Sequence, residues 1–477
     1  MVSLTKATYS VLAEEAIAAF AASLEGSLIR PADAEYDKAR KVWNGMIDRH
    51  PALIAQVATV GDVVAAVNFA RENRMRLSVR GGGHNIAGHA TNDGGLVIDL
   101  GARKQITVDP AARIARAAGG VTLGELDAAT QRFGLAAALG VVSATGIAGL
   151  TLGGGFGWLS HKVGLAADNL IAAEVVTASG KVVRASEDAN FDLLWGLRGG
   201  GGNFGIVTEF TYRLHPLGPD VAFTFVFHDT SSDERLAEAI RFYRDYAATA
   251  PDEVSSIMAL GRIPPDEHHF PAELHRRPFA LFAAMYAGAV DDGLKVMQPF
   301  FDFGEPLLNY GGVMPYVEAQ QIFDPDYPDG MRYYWKSLNL MQLDENAIAR
   351  MVEHARRMPS DLSTVDLWSI GGAIRRYGPD HSPYAGRSAA FLLNPEANWV
   401  EPEDDIANVS WVRNFIAAME PFSDGGRYLN FAGFQEEGDV MMQKSFGANY
   451  ARLAALKAKY DPSNLFSLNQ NIKPATG

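Results

Sequence analysis

The chain has no cysteine among its 477 residues. That excludes disulfides, thiolate nucleophiles and cysteine-ligated metals, and it fits a reducing compartment. Positive charge is also short. Lys and Arg number 42 against 56 Asp and Glu, and the net charge of −14 argues against a nucleic-acid partner. No apolar run approaches the ~18 residues of a membrane span. The first 31 residues read as an Ala-rich helical pattern with Glu14, Glu15 and Glu25 inside it, where a secretory signal would be basic and then apolar. A cytoplasmic protein with no membrane partner is expected. Internal repeats and low-complexity segments are absent, and the length allows more than one domain with room for a large buried ligand.

Glycine, by contrast, is abundant and clustered. The chain has 47, bunched at 81–83, 153–157 and 199–205. The stretch Ser-Val-Arg80-Gly-Gly-Gly-His84-Asn85 follows a short apolar approach. Three residues without a Cβ let backbone N–H groups crowd one ligand. Arg80 is a candidate phosphate partner, and the His84 imidazole is nucleophilic enough to bond covalently to a cofactor. Each ordered glycine costs extra conformational entropy, so three clusters point to one extended ligand touching backbone at several places. A pyrophosphate joined to a planar ring system would suit.

The periodicity predicts a strand and then a helix over 53–69, strands at 96–99 and 113–117, and a helix over 122–133. A hairpin is expected across 170–184, a short helix at 191–197 and a strand at 206–214. After His215-Pro-Leu-Gly-Pro219 glycine thins out. Aromatic-rich strands (221–227, 277–286, 387–393) then alternate with helices (233–248, 346–357), which suggests a second domain with helices on one side of a sheet. A last helix is expected at 449–460. Gly200-Gly-Gly202-Asn-Phe-Gly205 spells the dinucleotide fingerprint, but that motif needs a strand before it and a helix after it. Here the order is reversed, so a Rossmann site is rejected. Gly153-Gly-Gly155-Phe-Gly157 lacks the Lys-Ser/Thr of a Walker loop.

Five ordered motifs carry a resemblance. They are Arg80-Gly81-Gly82-Gly83-His84-Asn85, Gly146-Ile-Ala-Gly149, Gly153-Gly154-Gly155-Phe-Gly157-Trp158, Gly164-Leu-Ala-Ala-Asp168-Asn169 and Arg198-Gly-Gly-Gly-Gly-Asn203-Phe-Gly205. With the ending Tyr460-Asp-Pro-Ser-Asn464 and Asn469-Gln-Asn471, the chain resembles FAD-linked oxidases of the vanillyl-alcohol oxidase type, berberine-bridge branch, over roughly 40–475. The resemblance implies an α+β fold. A PCMH-type FAD domain of two subdomains is expected at 1–217, a substrate domain (an antiparallel sheet with helices on one side) at 218–430, and a segment completing the FAD domain at 431–477. It implies FAD bonded through its 8α-methyl to His84, with the glycine clusters and Asn203 on the pyrophosphate and ribityl chain. Asn469 and Asn471 are expected near the flavin; Asp168, Asn169, Gly205, Ile206 and Val207 belong to the same cofactor-binding set. Many relatives add a cysteinyl bond, and the matching residue here is Val142, so a second bond is excluded. Thr145 matches the position that governs oxygen access. No metal is implied.

On the substrate side, Tyr333-Tyr334-Trp335-Lys336 reads as a strand whose alternation puts Tyr334 and Lys336 together. Tyr428-Leu-Asn430-Phe431 resembles the family's strand beside the flavin, with Phe431 where a tyrosine base often stands. Tyr334, Tyr428 and Lys336 are candidate bases, with Asn430 and Thr145 in the same catalytic set. His381, Tyr384 and Arg387 resemble a pocket-facing segment, whereas His89 and His161 read as structural or surface residues. The resemblance implies a covalently flavinylated oxidase of secondary metabolism. It would oxidise a small aromatic, phenolic, amine or alcohol substrate, with hydride passing to flavin N5, oxygen as acceptor and hydrogen peroxide as product. Alternatives are a monooxygenase that oxygenates flavin N5, supported by Thr145, an oligosaccharide oxidase, and a flavin-binding protein without catalysis. Oligomeric state is open.

Overall fold

The computed structural model describes residues 12–265, 270–434 and 438–476. Its first sheet is built around a strand–helix–strand unit. Leu53–Gln56 leads through the helix Val60–Glu72 to Leu77–Arg80, and Leu96–Asp99 pairs parallel between those two strands. Thr59 starts the helix by a reciprocal cap: its hydroxyl accepts from Asp62 N while Asp62 accepts from Thr59 N. The strand Ser27–Ile29 completes this four-stranded layer. Glycines 81–83 and His84 therefore leave the carboxyl end of a parallel strand, the end where open α/β sheets present ligands.

The second sheet is antiparallel, ordered Ile106–Asp109, Ile114–Ala118, Ile206–Pro216, Leu170–Val176 and Val182–Ser186, with Leu135–Ala137 on the far end of Ile206–Pro216. The expected hairpin turns at Gly180, which has φ +76°. A helix (Phe191–Leu197) does precede the third glycine cluster, 199–205, and a strand follows it, which is why no dinucleotide-type helix terminus forms there.

The third sheet has nine antiparallel strands and carries the strict alternation of a two-faced layer. Ala222 and Val226 of Asp220–Asp229 pack under the helices Asp233–Thr249, Val290–Asp302, Glu345–Ala355 and Asp405–Met419. Val221, Phe223, Phe225 and Phe227 face the other way, against Phe156, Trp158 and Leu165 from the first part of the chain. One face of the sheet thus meets helices and the other closes over the glycine loops. The α+β fold with a one-sided helical cover is the one expected.

The tail returns to the first part. Leu453, Leu456 and Ile472 sit in the core of the second sheet with Trp195 and Phe204. Lys457, fully buried, donates to Asp461 Oδ2 (2.7 Å), Asn203 O (2.8 Å) and Phe466 O (3.0 Å), fastening the last helix (Tyr450–Tyr460), the glycine loop and the tail together. Lys457→Met strands the buried Asp461 carboxylate. It is expected to lower unfolding stability by about 3–5 kcal/mol, read by chemical denaturation; an unchanged midpoint would show that the pair adds nothing.

Candidate functional site

A cavity of about 310 Å³ takes its walls from all three sheets. At one end lie glycines 81–83, Gly146, Gly149, glycines 199–202 and Gly205, with Ile206 and Val207 behind them. Two of these loops touch backbone to backbone. A Cβ on Gly82 would fall 2.3 Å from Gly146 N, and one on Gly146 would fall 2.4 Å from Gly82 N. Gly149 and Gly202 instead face open space, where a Cβ would meet nothing within 4 Å. The tail supplies polar atoms beside this bed: Asn469 Oδ1 and both side-chain polar atoms of Gln470 are buried without a hydrogen-bond partner, and so is Oδ1 of Asn471, a residue that is not on the cavity lining. A bare glycine bed next to orphaned amides is what a long, polar, phosphate-bearing cofactor such as FAD requires. The residues fit.

His84 is half-buried against this cavity. Its ring stacks on Trp43 (centroids 5.0 Å apart), and Trp43 stacks on Tyr333 at 3.7 Å. Desolvation pushes the His84 pKa down to about 4, so the imidazole is neutral at ordinary pH and keeps a nucleophilic lone pair. Thr145 Oγ1 lies 3.4 Å from His84 Nδ1. Asn44 holds the arrangement from below: its amide donates to Ile86 O and Tyr333 O (2.9 Å each), tying the histidine loop to the third sheet.

The other end is aromatic and acidic. Strand parity brings one face of three adjacent strands to it. In Arg332–Trp335, Thr364–Ser369 and Phe391–Trp399, the paired register sets Trp335 opposite Glu396 and Asp366 opposite Asn394. Trp335, Asp366, Trp368 and Glu396 line the cavity together with Tyr327, Phe156, Tyr428 and Phe431. Glu396 accepts from the Tyr327 hydroxyl at 2.8 Å and from the Asn394 amide. Asp366 Oδ1 is buried with no partner. Burial raises both carboxyl groups, Asp366 to about 7 and Glu396 further, the Asp366 charge adding to the latter. Two acids this close in a dry pocket do not both ionise readily. Tyr428 is different: its hydroxyl accepts from Gly155 N (3.0 Å) and the Asn430 amide (2.8 Å), and burial pushes its pKa up to about 12.

Several expected residues lie elsewhere. Arg80 does not reach the cavity; it is buried in an ion pair with Asp99 (2.7 Å) and donates to Lys41 O. Asp168 is held by Arg387, and Asn169 bonds Val163 O, Leu165 O and His215, so both are structural. Asn203 ties Gly200 O to the tail through Gln470 O and Ile472 N and stands behind the loop. Gly154 and Gly155 make room for Tyr428 and Ala166, while Gly153, which does line the cavity, lets Asn430 close in. Tyr334 and Lys336 are not brought to the cavity either. The strand forms, but its phase is the reverse of the expected one. Tyr334 packs on Phe434 under the helices and its hydroxyl accepts from Arg413 (3.0 Å), and Lys336 lies past the strand's end. The Leu429–Phe431 segment is a tight turn of 3-10 helix, not a strand.

Of the other expected residues, Asn85, Val142, Thr145, Asn430 and Asn469 line the cavity, and so does His89, which burial pushes down to about 4. His161 is buried against Ser369 O. Sequence reasoning missed Trp43, Tyr327, Asp366, Trp368 and Glu396. A usable signal was present: Thr-Val-Asp366-Leu-Trp and Asn394-Pro-Glu396-Ala-Asn398 alternate polar and apolar inside otherwise apolar strands. Among the described residues no helix is long and apolar enough to cross a membrane, and no acid–imidazole group is arranged to hold a metal.

An FAD binding domain model matches residues 51–186, and a berberine and berberine like model matches 427–473. An FAD-linked oxidoreductase of Dictyostelium discoideum is 31% identical over 460 residues, spanning 95% of this chain and 96% of that one. The solved structure of 6-hydroxy-D-nicotine oxidase from Arthrobacter nicotinovorans superposes with a TM-score of 0.85 at 29% identity, covering 95% of this chain and 99% of that one. Xylooligosaccharide oxidase from Myceliophthora thermophila in complex with xylobiose gives a TM-score of 0.85 at 25% identity, with 97% and 100% covered. Glycine bed, histidine loop and returning tail thus coincide with matches along nearly the whole chain: it belongs to the berberine-bridge-like branch of the vanillyl-alcohol oxidase superfamily and is an FAD-linked oxidoreductase.

Proposed function

We propose that the protein is an oxidase carrying FAD bonded through His84 alone, and that it oxidises a small molecule held at the aromatic end of the cavity. The observation that carries this reading is the continuity of one cavity from the glycine bed, past a neutral nucleophilic histidine, to a chamber holding buried acids. FAD when bound accepts a hydride from substrate and passes its electrons to oxygen, giving hydrogen peroxide. The chain's own residues do the rest. Glycines 81–83, Gly146, Gly149 and glycines 199–202 present backbone to the cofactor, and Asn469 and Gln470 offer their unpartnered polar atoms. Trp335, Trp368 and Phe431 bound the substrate and keep water out. Asp366 accepts the substrate's proton. Residues 1–217 with 431–477 form the cofactor-binding part and 218–430 the substrate part.

Thr145 is the residue through which we expect oxygen access to be set, since it lines the cavity beside His84 and is small. Thr145→Leu is expected to slow reoxidation of the reduced flavin ~10-fold, about 1.4 kcal/mol of barrier, with anaerobic reduction by substrate much less changed. Equal stopped-flow reoxidation in the two proteins would remove Thr145 from this role. The reading as a whole is tested by screening substrates for anaerobic bleaching of the flavin, then admitting oxygen and measuring peroxide. Failure of every substrate to bleach it would favour a binding protein. Labelled oxygen in the product would replace the oxidase with an oxygenase.

A further inference from the structure

We propose that the substrate class is a small organic cation, an amine carried in as its ammonium, held between the Asp366 carboxylate and the aromatic walls of the chamber. This rests on the oxidase reading above and narrows it. Asp366 and Glu396 are 6% and 2% exposed, and buried carboxylates are kept only where something answers their charge. Glu396 is answered by Tyr327 and Asn394. Asp366 has the Thr364 hydroxyl beside it and no cation, and its Oδ1 has no hydrogen-bond partner among the described residues, although the residue lines the cavity. The charge to complete it must come from the ligand, because no Lys or Arg lines this cavity among the described residues. Its histidines, His84 and His89, are held neutral by desolvation.

The walls around that acid suit a cation as well. Trp335 meets Tyr327 (5.4 Å, 74°) and Phe431 (5.8 Å, 82°) at steep angles, and Trp368 stands 6.4 Å from Phe431 at 45°. These rings line the cavity beside the acid, and aromatic surface of that kind favours a cation over a neutral group of the same shape. A neutral polyol asks for many interleaved donors and acceptors. Among the described residues, the buried polar atoms without a partner on the lining at this end are Asp366 Oδ1 and the Trp368 indole nitrogen. Once the ammonium is bound, its N–H bond breaks with the proton going to Asp366 as an O–H bond. The electron pair stays on nitrogen, leaving the neutral amine that oxidation at the neighbouring carbon requires.

The experiment uses the oxidised, flavin-loaded enzyme and measures binding by calorimetry and by perturbation of the flavin absorbance. The probes are choline, its neutral carbon isostere 3,3-dimethylbutan-1-ol, and xylobiose. At about pH 8, where the acid is ionised, choline is expected to bind ~10-fold or more tightly than the isostere, about what one desolvated cation–π contact supplies. The preference should shrink at about pH 5 and vanish in Asp366→Asn. Equal binding of choline and its isostere by the wild type overturns the assignment whether or not the variant folds. So does a preference that survives in Asp366→Asn, or tighter binding of xylobiose. If neutral alcohols bleach the flavin while choline shows no preference, the cation falls and the oxidase stands. If choline is preferred but no amine reduces the flavin, the cation site stands and the oxidase reading falls.

Discussion

His84→Ala is expected to convert a protein that stays yellow after acid precipitation into one that releases all of its flavin to the supernatant. The expectation follows from two independent features. With zero cysteines in 477 residues, no thioether can share the load. His84 itself is prepared for attack: burial keeps the ring neutral, and the Trp43 stack and the nearby Thr145 hydroxyl fix its plane. The glycine bed is untouched by the substitution, so the variant should still bind FAD, now dialysably. Visible spectra of supernatant and pellet read both results at once. If wild-type protein gives up its flavin on precipitation, covalent attachment through His84 is wrong, whatever the variant does.

The glycine clusters were legible because their reason is local. A loop that must touch backbone to backbone, as Gly82 and Gly146 do, can be written only with residues lacking a Cβ, and it stands out in any sequence. The strand pattern likewise marked four stretches of the third sheet, at 221–227, 277–286, 333–336 and 387–393, and passed over others such as Val254–Arg262 and Thr364–Ser369. What it could not supply was phase. In Tyr333-Tyr334-Trp335-Lys336 every residue before the lysine is aromatic, so neither face announces itself as core. Phase is set by the partner strand. Leu393 and Ala397 of Phe391–Trp399 pack under helices, while Asn394, Glu396 and Asn398 turn the other way, and pairing carries Trp335 with them and Tyr334 against them. The roles of Arg80, Asp168 and Asn203 misled for a related reason. They belong to cofactor-side motifs, but they hold the loops from behind, which spacing alone does not distinguish from touching the ligand.

Asp366→Asn is expected to slow anaerobic flavin reduction ~10²–10⁴-fold, the usual worth of a positioned base, and to change its pH profile. A base must be ionised to act. Burial raises the Asp366 pKa to about 7, with the charge of Asp326 acting in the same direction. Glu396 faces it from the adjacent strand, its own proton held by burial, and Tyr327 and Thr364 are the other groups turned toward the pair. Wild-type reduction should therefore rise with pH through about 7 and then level, and the variant should lose that limb. Stability carries the same group with the opposite sign. An acid whose pKa is higher folded than unfolded favours folding most when it is protonated in both states. That advantage is lost as pH rises from the unfolded value of 3.8 through about 7. The asparagine variant should match wild type in thermal unfolding at the acid end of that window and exceed it above the window. Tyr428 is the rival base, and its pKa of about 12 would move the rise in rate far to the alkaline side. Tyr334→Phe, a change in the helix-covered layer away from the cavity, should leave reduction at the wild-type rate. If Asp366→Asn reduces the flavin as fast as wild type with the same pH limb, the carboxylate is not the base.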